Sequence, residues 1–428
     1  MGPDQFPKIR GGAPPPGWLI EHTELNSHAI GPSSEVLAEW RAAGLTLPDL
    51  DAMRRYRLAR LRAELARHDV DGILLHDPLN IRYATDTTNM SIWTMHNQVR
   101  YAWVPTEGPV LMWEYSDGEF LSAHSGVVDE IRPAISLHPF YTGDRIGEVA
   151  ERWAADIRSV AGPRIAVDIL SPEGIKALEA TGAELLPGQR LMENARVVKG
   201  PDEILALRCA VESCRLDIAD MRSIFQPGVT EVELWAQLQH SNLLRFGEWV
   251  ETRLLSSGER TNPWYQEAST KPVAAGELMG FDTDLIGPFG MCVDISRTWL
   301  CGDGKPSAAQ HDVHSRAVDM IEHNTELFVP GATYREITER LRYPSIDKFN
   351  GYTVLAHGTG ICDEYPSLYI REKWDATGFD GVIESGNIFS IESFVGRRNG
   401  KEGVKLEQQI LVTDRGPELL TGSPSLDL

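Results

Sequence analysis

Positive charge is scarce in this 428-residue chain: 41 Lys and Arg stand against 62 Asp and Glu, a formal net charge of -21. Such a balance argues against nucleic acid and anionic membrane surfaces as partners. It leaves anionic small molecules open, because a local metal site reverses the sign of the field. Long apolar runs are also missing. No stretch approaches the ~20 apolar residues a membrane span needs, and the opening MGPDQFPKIRGGAPPPGW has no apolar signal core, so the expected location is cytoplasmic. Phe6 stands where a myristoylation signal would place Ser or Thr. Cysteine is sparse. Cys209, Cys214, Cys292, Cys301 and Cys362 are odd in number and lack Cys-x-x-Cys spacing, which suits a reducing compartment better than a disulfide framework.

What is present, 42% hydrophobic and 24% charged residues, describes an ordinary globular protein long enough for two domains. Residues 1–50 are rich in Pro and Gly and read as an extended arm. Met53 to His68 is an amphipathic basic helix, with Leu58, Leu61 and Leu65 on one face and arginines solvating the other. A buried strand at Val70 to Leu75 follows, and helix–strand alternation continues to Leu186, giving an α/β domain over 51–190. Inside it, Ser91 to Trp103 (SIWTMHNQVRYAW) fits a core strand and a binding loop equally well.

The remaining residues, 191–428, read as a second domain. A helix over Asp202 to Phe225 ends in Phe-Gln-Pro-Gly-Val-Thr (225–230), and Phe-Val-Pro-Gly-Ala-Thr (328–333) closes the helix Ala308 to Leu327. Each phrase is a Pro-Gly stop with Thr as the next N-cap, and a further helix follows, Tyr334 to Leu341 in the second copy. The repeated spacing indicates an internal duplication, hence two similar αβ halves with a site at their junction.

Between the copies lies Phe281 to Thr298, FDTDLIGPFGMCVDISRT. A strand would point Asp282 and Asp284 to one face, a turn at Gly287-Pro288 and Gly290 would reverse the chain, and a second strand would carry Asp294. Three carboxylates so gathered need a cation between them, unless the segment is a solvated acidic turn. His357, Glu392 and Glu407 each sit in an apolar strand-like run, where an unpaired charge would be costly. Together these six residues make an oxygen and nitrogen ligand set that suits Fe, Mn, Co or Zn, and it is large enough for two bridged ions.

The order Asp, Asp, His, Glu, Glu, with VDISRT, HGTG and VKLEQQILVT around the ligands, resembles the pita-bread family of methionine aminopeptidases, Xaa-Pro peptidases, prolidases and creatinases. The resemblance implies an α+β fold. A pita-bread catalytic domain with a pseudo-twofold duplication would follow a smaller creatinase-type N-terminal domain. It further implies two divalent ions bridged by Asp294 and Glu407, with His357 and Glu392 completing one side and Asp282, Asp284 or both the other. A homodimer follows from the same likeness, the N-terminal domain of each chain covering the partner's site.

Three departures separate the chain from the peptidases. Their aspartates usually lie eleven apart, which falls on Thr283 here. Trp264 and Tyr265 stand where a histidine follows their SG motif, and HGTGICDEYP puts Asp363 where a second histidine begins. Peptide hydrolysis needs such proton donors. The same features resemble DddP-type lyases of dimethylsulfoniopropionate, which implies a sulfonium carboxylate as substrate, dimethyl sulfide and acrylate as products, iron as the metal and Asp363 as the base. A sulfonium is stabilised by aromatic faces, and Tyr352, Phe349, Trp264 and Trp93 are the candidates. Alternatives stay open. Asp363 also fits a turn cap, Tyr352 a packed aromatic, and Trp93 a core residue. The whole chain also fits an Xaa-Pro dipeptidase with remodelled surroundings or, having kept its ligands, less well a creatinase or a non-catalytic binding module.

Overall fold

The structure is a computed structural model that describes residues 31–115 and 118–421. Two compact units divide the chain, one formed by Pro48–Arg196, the other by Pro32–Leu47 together with the chain from Val197 onward. Residues 1–30 of the expected arm lie outside the described residues. Its remainder is not extended: Ser34–Ala42 is a helix, capped by the Ser33 hydroxyl, which accepts from the Val36 N–H. This helix belongs to the second unit because Trp40 is buried there, its indole donating to Ser213 Oγ at 3.0 Å.

The N-terminal unit is a six-stranded mixed sheet in the spatial order Glu130–Pro133, Leu111–Glu114, Tyr101–Pro105, Gly72–Leu75, Arg164–Val167, Glu184–Pro187. The basic helix spans Leu50–Arg67, and its arginines are not all solvated. Arg54 is buried and paired with Asp86 at 2.9 Å, and Arg57 lies over the Tyr83 ring, so a basic face became part of the interior through a buried carboxylate and an aromatic. The Ser91–Trp103 segment is neither a single strand nor a loop. It forms a short helix, Ser91–Asn97, that exposes Ile92 and Met95, and then enters the buried strand Tyr101–Pro105.

The second unit carries the duplication. Helix Pro201–Ser223 leads to Glu231–Leu244, and Ala308–Thr325 leads to Tyr334–Arg340. Thr230 and Thr333 cap the second helix of each pair with the same backbone angles, φ -85° and ψ 154°, and each closes a capping box, with Glu233 and Glu336. The equivalence runs on. Gly228 N–H donates to Val273 O and Gly331 N–H to Ile383 O; then Gly276 N–H donates to Cys301 O and Gly386 N–H to Val412 O. Both halves therefore deliver a strand into the centre by the same route, carrying Asp282 in one and Glu392 in the other. All five cysteines are buried thiols outside any disulfide. Among the described residues no helix is long and apolar enough to cross a membrane.

Candidate metal centre

Strand register sets the carboxylates. Leu278–Asp282 pairs antiparallel with Ser296–Leu300, placing Asp282 opposite Ser296. Ile388–Arg397 pairs with Gly403–Thr413, placing Glu392 opposite Glu407. His357 enters from Val354–Thr359, which also pairs with Ile388–Arg397. Its following glycine is sterically required: a Cβ on Gly358 would lie 2.4 Å from the Tyr365 carbonyl oxygen.

The expected alternation breaks at Asp284. Asp282 ends its strand, and Asp284 adopts a left-handed backbone with φ 39°, so the two carboxylates diverge instead of sharing a strand face. Asp282 Oδ1 accepts from Ser296 at 2.6 Å, and Asp284 accepts from the Thr252 hydroxyl. Both still line one cavity of about 820 Å³ with Asp294, His357, Asp363, Glu392 and Glu407. Thr283, at the peptidases' ligand spacing, has another task. Its hydroxyl donates to Val293 O and accepts from Ile295 N–H, gripping the backbone on either side of Asp294.

Lys405 and His357 organise the cluster. Lys405, fully buried, donates to Asp282 Oδ2 at 2.8 Å, Glu392 Oε2 at 3.0 Å and Glu407 Oε2 at 2.6 Å. The other oxygens of the two glutamates face His357 Nε2, at 3.3 and 3.5 Å, and Asp294 Oδ2 joins them at 3.3 Å. His357 Nδ1 stands 3.0 Å from the Gly358 carbonyl and 3.6 Å from Asp363 Oδ1, leaving Nε2 for the cluster. Arg297, from VDISRT, donates to the Glu407 carbonyl at 2.6 Å and to Gln408 Oε1 at 3.1 Å, fixing the strand that carries Glu407.

Burial pushes Asp294 well above the usual carboxylate range, and Glu407, Asp282 and Asp284 push it further. Asp284 is raised likewise, by burial and then by Asp282 and Asp363. Burial also works against Glu407, but Lys405, His357 and Asp294 hold it down at about 2. Five buried carboxylates against one ammonium leave an excess of four negative charges, which two divalent ions would balance. Asp294 Oδ1 and Glu407 Oε1, both buried, have no hydrogen-bond partner among the described residues. Side-chain donor atoms of His357, Glu392 and Glu407, and of Asp282, Asp294 and Glu407, each fall within 4.8 Å of one another. The residues therefore fit a bound metal, and buried carboxylate oxygens without donors are the sign of it.

Asp363 differs from the six candidate ligands in being 43% accessible at the cavity's edge, the first residue of the strand Asp363–Tyr369. Desolvation inside the concave site raises it to about 6, although His357 opposes the shift. Glu251, on the same wall, is raised to about 7 by burial and by Asp363. Of the aromatic candidates, only Tyr352 lines this cavity. Trp264 and Phe349 are buried and line an adjoining cavity of about 550 Å³, which shares Tyr265 and Tyr352 with the first. Trp264 is held there by Phe394 and by its contact at Gly280, and Phe349 by Arg316 and Arg397 over its ring. Trp93 lies half-buried in the N-terminal unit, edge-on to Tyr115 and Tyr141. Lys405, Ser296, Arg297, Thr252 and Glu251 escaped the reading of the sequence. A signal existed for Lys405, since period-two alternation in VKLEQQ puts it on the face of Glu407.

Comparisons with known proteins agree on the family and the fold. The family model for metallopeptidase family M24 matches residues 206–414, and the creatinase/prolidase N-terminal domain matches residues 57–198. The dimethylsulfoniopropionate lyase DddP of Roseovarius nubinhibens is 40% identical over 411 residues, covering 93% of this chain and 92% of the relative. The protein of the same name from Roseobacter denitrificans is 40% identical over 414 residues, covering 94% and 92%. Among solved structures, an Xaa-Pro dipeptidase from Bacillus anthracis matches with a TM-score of 0.70 at 22% identity, covering 87% of this chain and 98% of that one. A prolidase from Pyrococcus horikoshii gives 0.69 at 18%, covering 87% and 99%. These two likenesses carry the fold alone: a creatinase-type N-terminal domain followed by a pita-bread domain, as expected.

Proposed function

This chain belongs to the DddP family, built on the M24 metallopeptidase scaffold, and we propose that it is a metal-dependent carbon–sulfur lyase that cleaves dimethylsulfoniopropionate to dimethyl sulfide and acrylate. The observation that carries this reading is the wall of the cavity beside the carboxylates. Asp363 stands there accessible, and His357, already committed to the cluster, is the sole histidine among the described residues lining it. A peptidase of this family would bring further histidines to that wall as proton donors for its gem-diolate and leaving amine. An elimination needs a base only.

Asp282, Asp284, Asp294, His357, Glu392 and Glu407 would hold two divalent ions, iron by the family likeness, with Mn, Co or Zn accepted by the same donors. When bound, such ions supply Lewis acidity toward the substrate carboxylate. The protein's own part is base and enclosure. The Asp363 carboxylate takes the α-proton, the electrons of that C–H bond become the new carbon–carbon π bond, and the carbon–sulfur pair leaves on sulfur. The leaving group is neutral, so no acid is required to release it.

The second reading is an Xaa-Pro dipeptidase, favoured by the prolidase-like fold. Paired turnover decides between them. The metal-loaded protein is expected to release dimethyl sulfide from the sulfonium far faster than proline from an Xaa-Pro dipeptide with added Mn or Co. Dipeptide turnover equal to or above it would reverse the assignment.

The proposed assembly is a homodimer in which each N-terminal unit covers the partner's site. Its support is a surface on that unit where Met90, Ile92, Met95, Phe140 and Tyr141 are all exposed, too apolar to be left in water without a partner. Sedimentation is expected to give two chains per particle, and a single chain would contradict this.

A further inference from the structure

Among the described residues, five aromatic side chains line the cavity that holds the carboxylates: Tyr265, Tyr352, Tyr365, Tyr369 and Phe379. Most have their faces engaged. Tyr352 has the Lys405 ammonium 5.0 Å over its ring and the Tyr265 ring 5.1 Å away at 43°. Tyr365 and Phe379 stack on each other with centroids 5.2 Å apart. Tyr265 alone among the five is an exposed large side chain, 66% accessible, and it also lines the adjoining aromatic cavity. Its backbone is unusual as well: φ is 77°, a left-handed conformation that a bulky side chain rarely adopts.

The surroundings dictate that conformation. Trp264, one residue before, is buried against Phe394 and Gly280, while Glu267, two residues after, bridges to Leu254. The chain must turn out of the core between these anchors, and the turn swings the Tyr265 ring out over the cavity against Tyr352. A strained residue held by its neighbours at the mouth of a site is where function is sought.

We propose that Tyr265 sets the preference for a cationic head group, its open ring face receiving the sulfonium while Tyr352 supports the ring from the opposite direction. The inference rests on the lyase reading and sharpens it. The negative edge of the cavity draws a cation in, and the ring quadrupole then distinguishes a cation from a neutral group of the same shape. Tyr352 cannot do this unaided, since its ring already carries Lys405.

The test uses full-length metal-loaded protein and two competitive inhibitors of one shape, a trimethylammonium propionate and its neutral tert-butyl isostere. Both are titrated calorimetrically, so the readout does not depend on turnover. Wild-type protein is expected to favour the cation. The ratio of cationic to neutral affinity should fall about 2- to 30-fold in Tyr265→Leu, hold in Tyr265→Phe and rise in Tyr265→Trp, with metal content unchanged in all three. An unchanged ratio in Tyr265→Leu, or equal weakening of both inhibitors, would overturn the proposal. If Tyr265→Leu loses metal, the comparison of Tyr265→Phe with Tyr265→Trp still decides: a ratio no higher for Trp overturns it. Absence of dimethyl sulfide release by the wild type would sink the lyase reading instead, and the two failures are thereby distinct.

Discussion

Asp363→Ala is expected to lower the rate of dimethyl sulfide release by about 10²–10⁴-fold, the usual contribution of a general base, while metal content and melting temperature stay near wild type. The structure predicts this separation. Asp363 lies at the open edge of the cavity, and removing its carboxylate leaves no buried group stranded, because His357 Nδ1 keeps the Gly358 carbonyl at 3.0 Å. Its hydrogen bond to Glu251 on the same wall is a long one, from its own N–H to Oε2 at 3.5 Å, and the backbone retains it in Asp363→Ala. Asp363→Asn should lose as much, since it keeps the shape and loses the basicity. The loss should fall on kcat with KM nearly unchanged. Parallel loss of metal and activity would make Asp363 structural, and near-normal turnover would remove it from the mechanism.

His357→Ala should act through the metal instead. His357 Nε2 meets Asp294, Glu392 and Glu407 at 3.3–3.5 Å, and without it three buried carboxylates face one another with Lys405 paired to two of them. Losing a ligand should cost more than the 10–100-fold typical of an outer partner, so affinity should drop by at least about 100-fold. Metal analysis after gel filtration should find the centre depleted. The wild type should gain roughly 2.7 kcal/mol of stability at metal a hundred-fold above its Kd, and the variant much less. Wild-type metal content in the variant would mean that His357 is not a ligand.

How much of this was legible depended on whether backbone regularity persisted. The duplicated Pro-Gly-Thr phrase exposed the two halves because a capping box is local chemistry, written into four consecutive residues. Asp294, His357, Glu392 and Glu407 could be gathered because each sits on or beside a strand whose neighbours are apolar. Lys405 could have been found by the same period of two. Asp284 could not be placed, since one left-handed residue ended the alternation that seemed to pair it with Asp282. Tyr265 was hidden for the same reason: a positive φ turns its ring away from the side that spacing assigns. Trp264 and Phe349 were close in sequence to the right region but are held in the adjoining cavity by packing that sequence alone does not reveal. Glu251 and Thr252 follow a two-residue strand, Trp249–Val250, too short to leave a periodic signal.

The most direct measurement is headspace detection of dimethyl sulfide, with acrylate quantified in the same vessel, from purified metal-loaded protein given dimethylsulfoniopropionate. Equimolar dimethyl sulfide and acrylate, abolished by a chelator and restored by metal, is the predicted result. Absence of dimethyl sulfide from protein that has its metal bound would contradict the assignment.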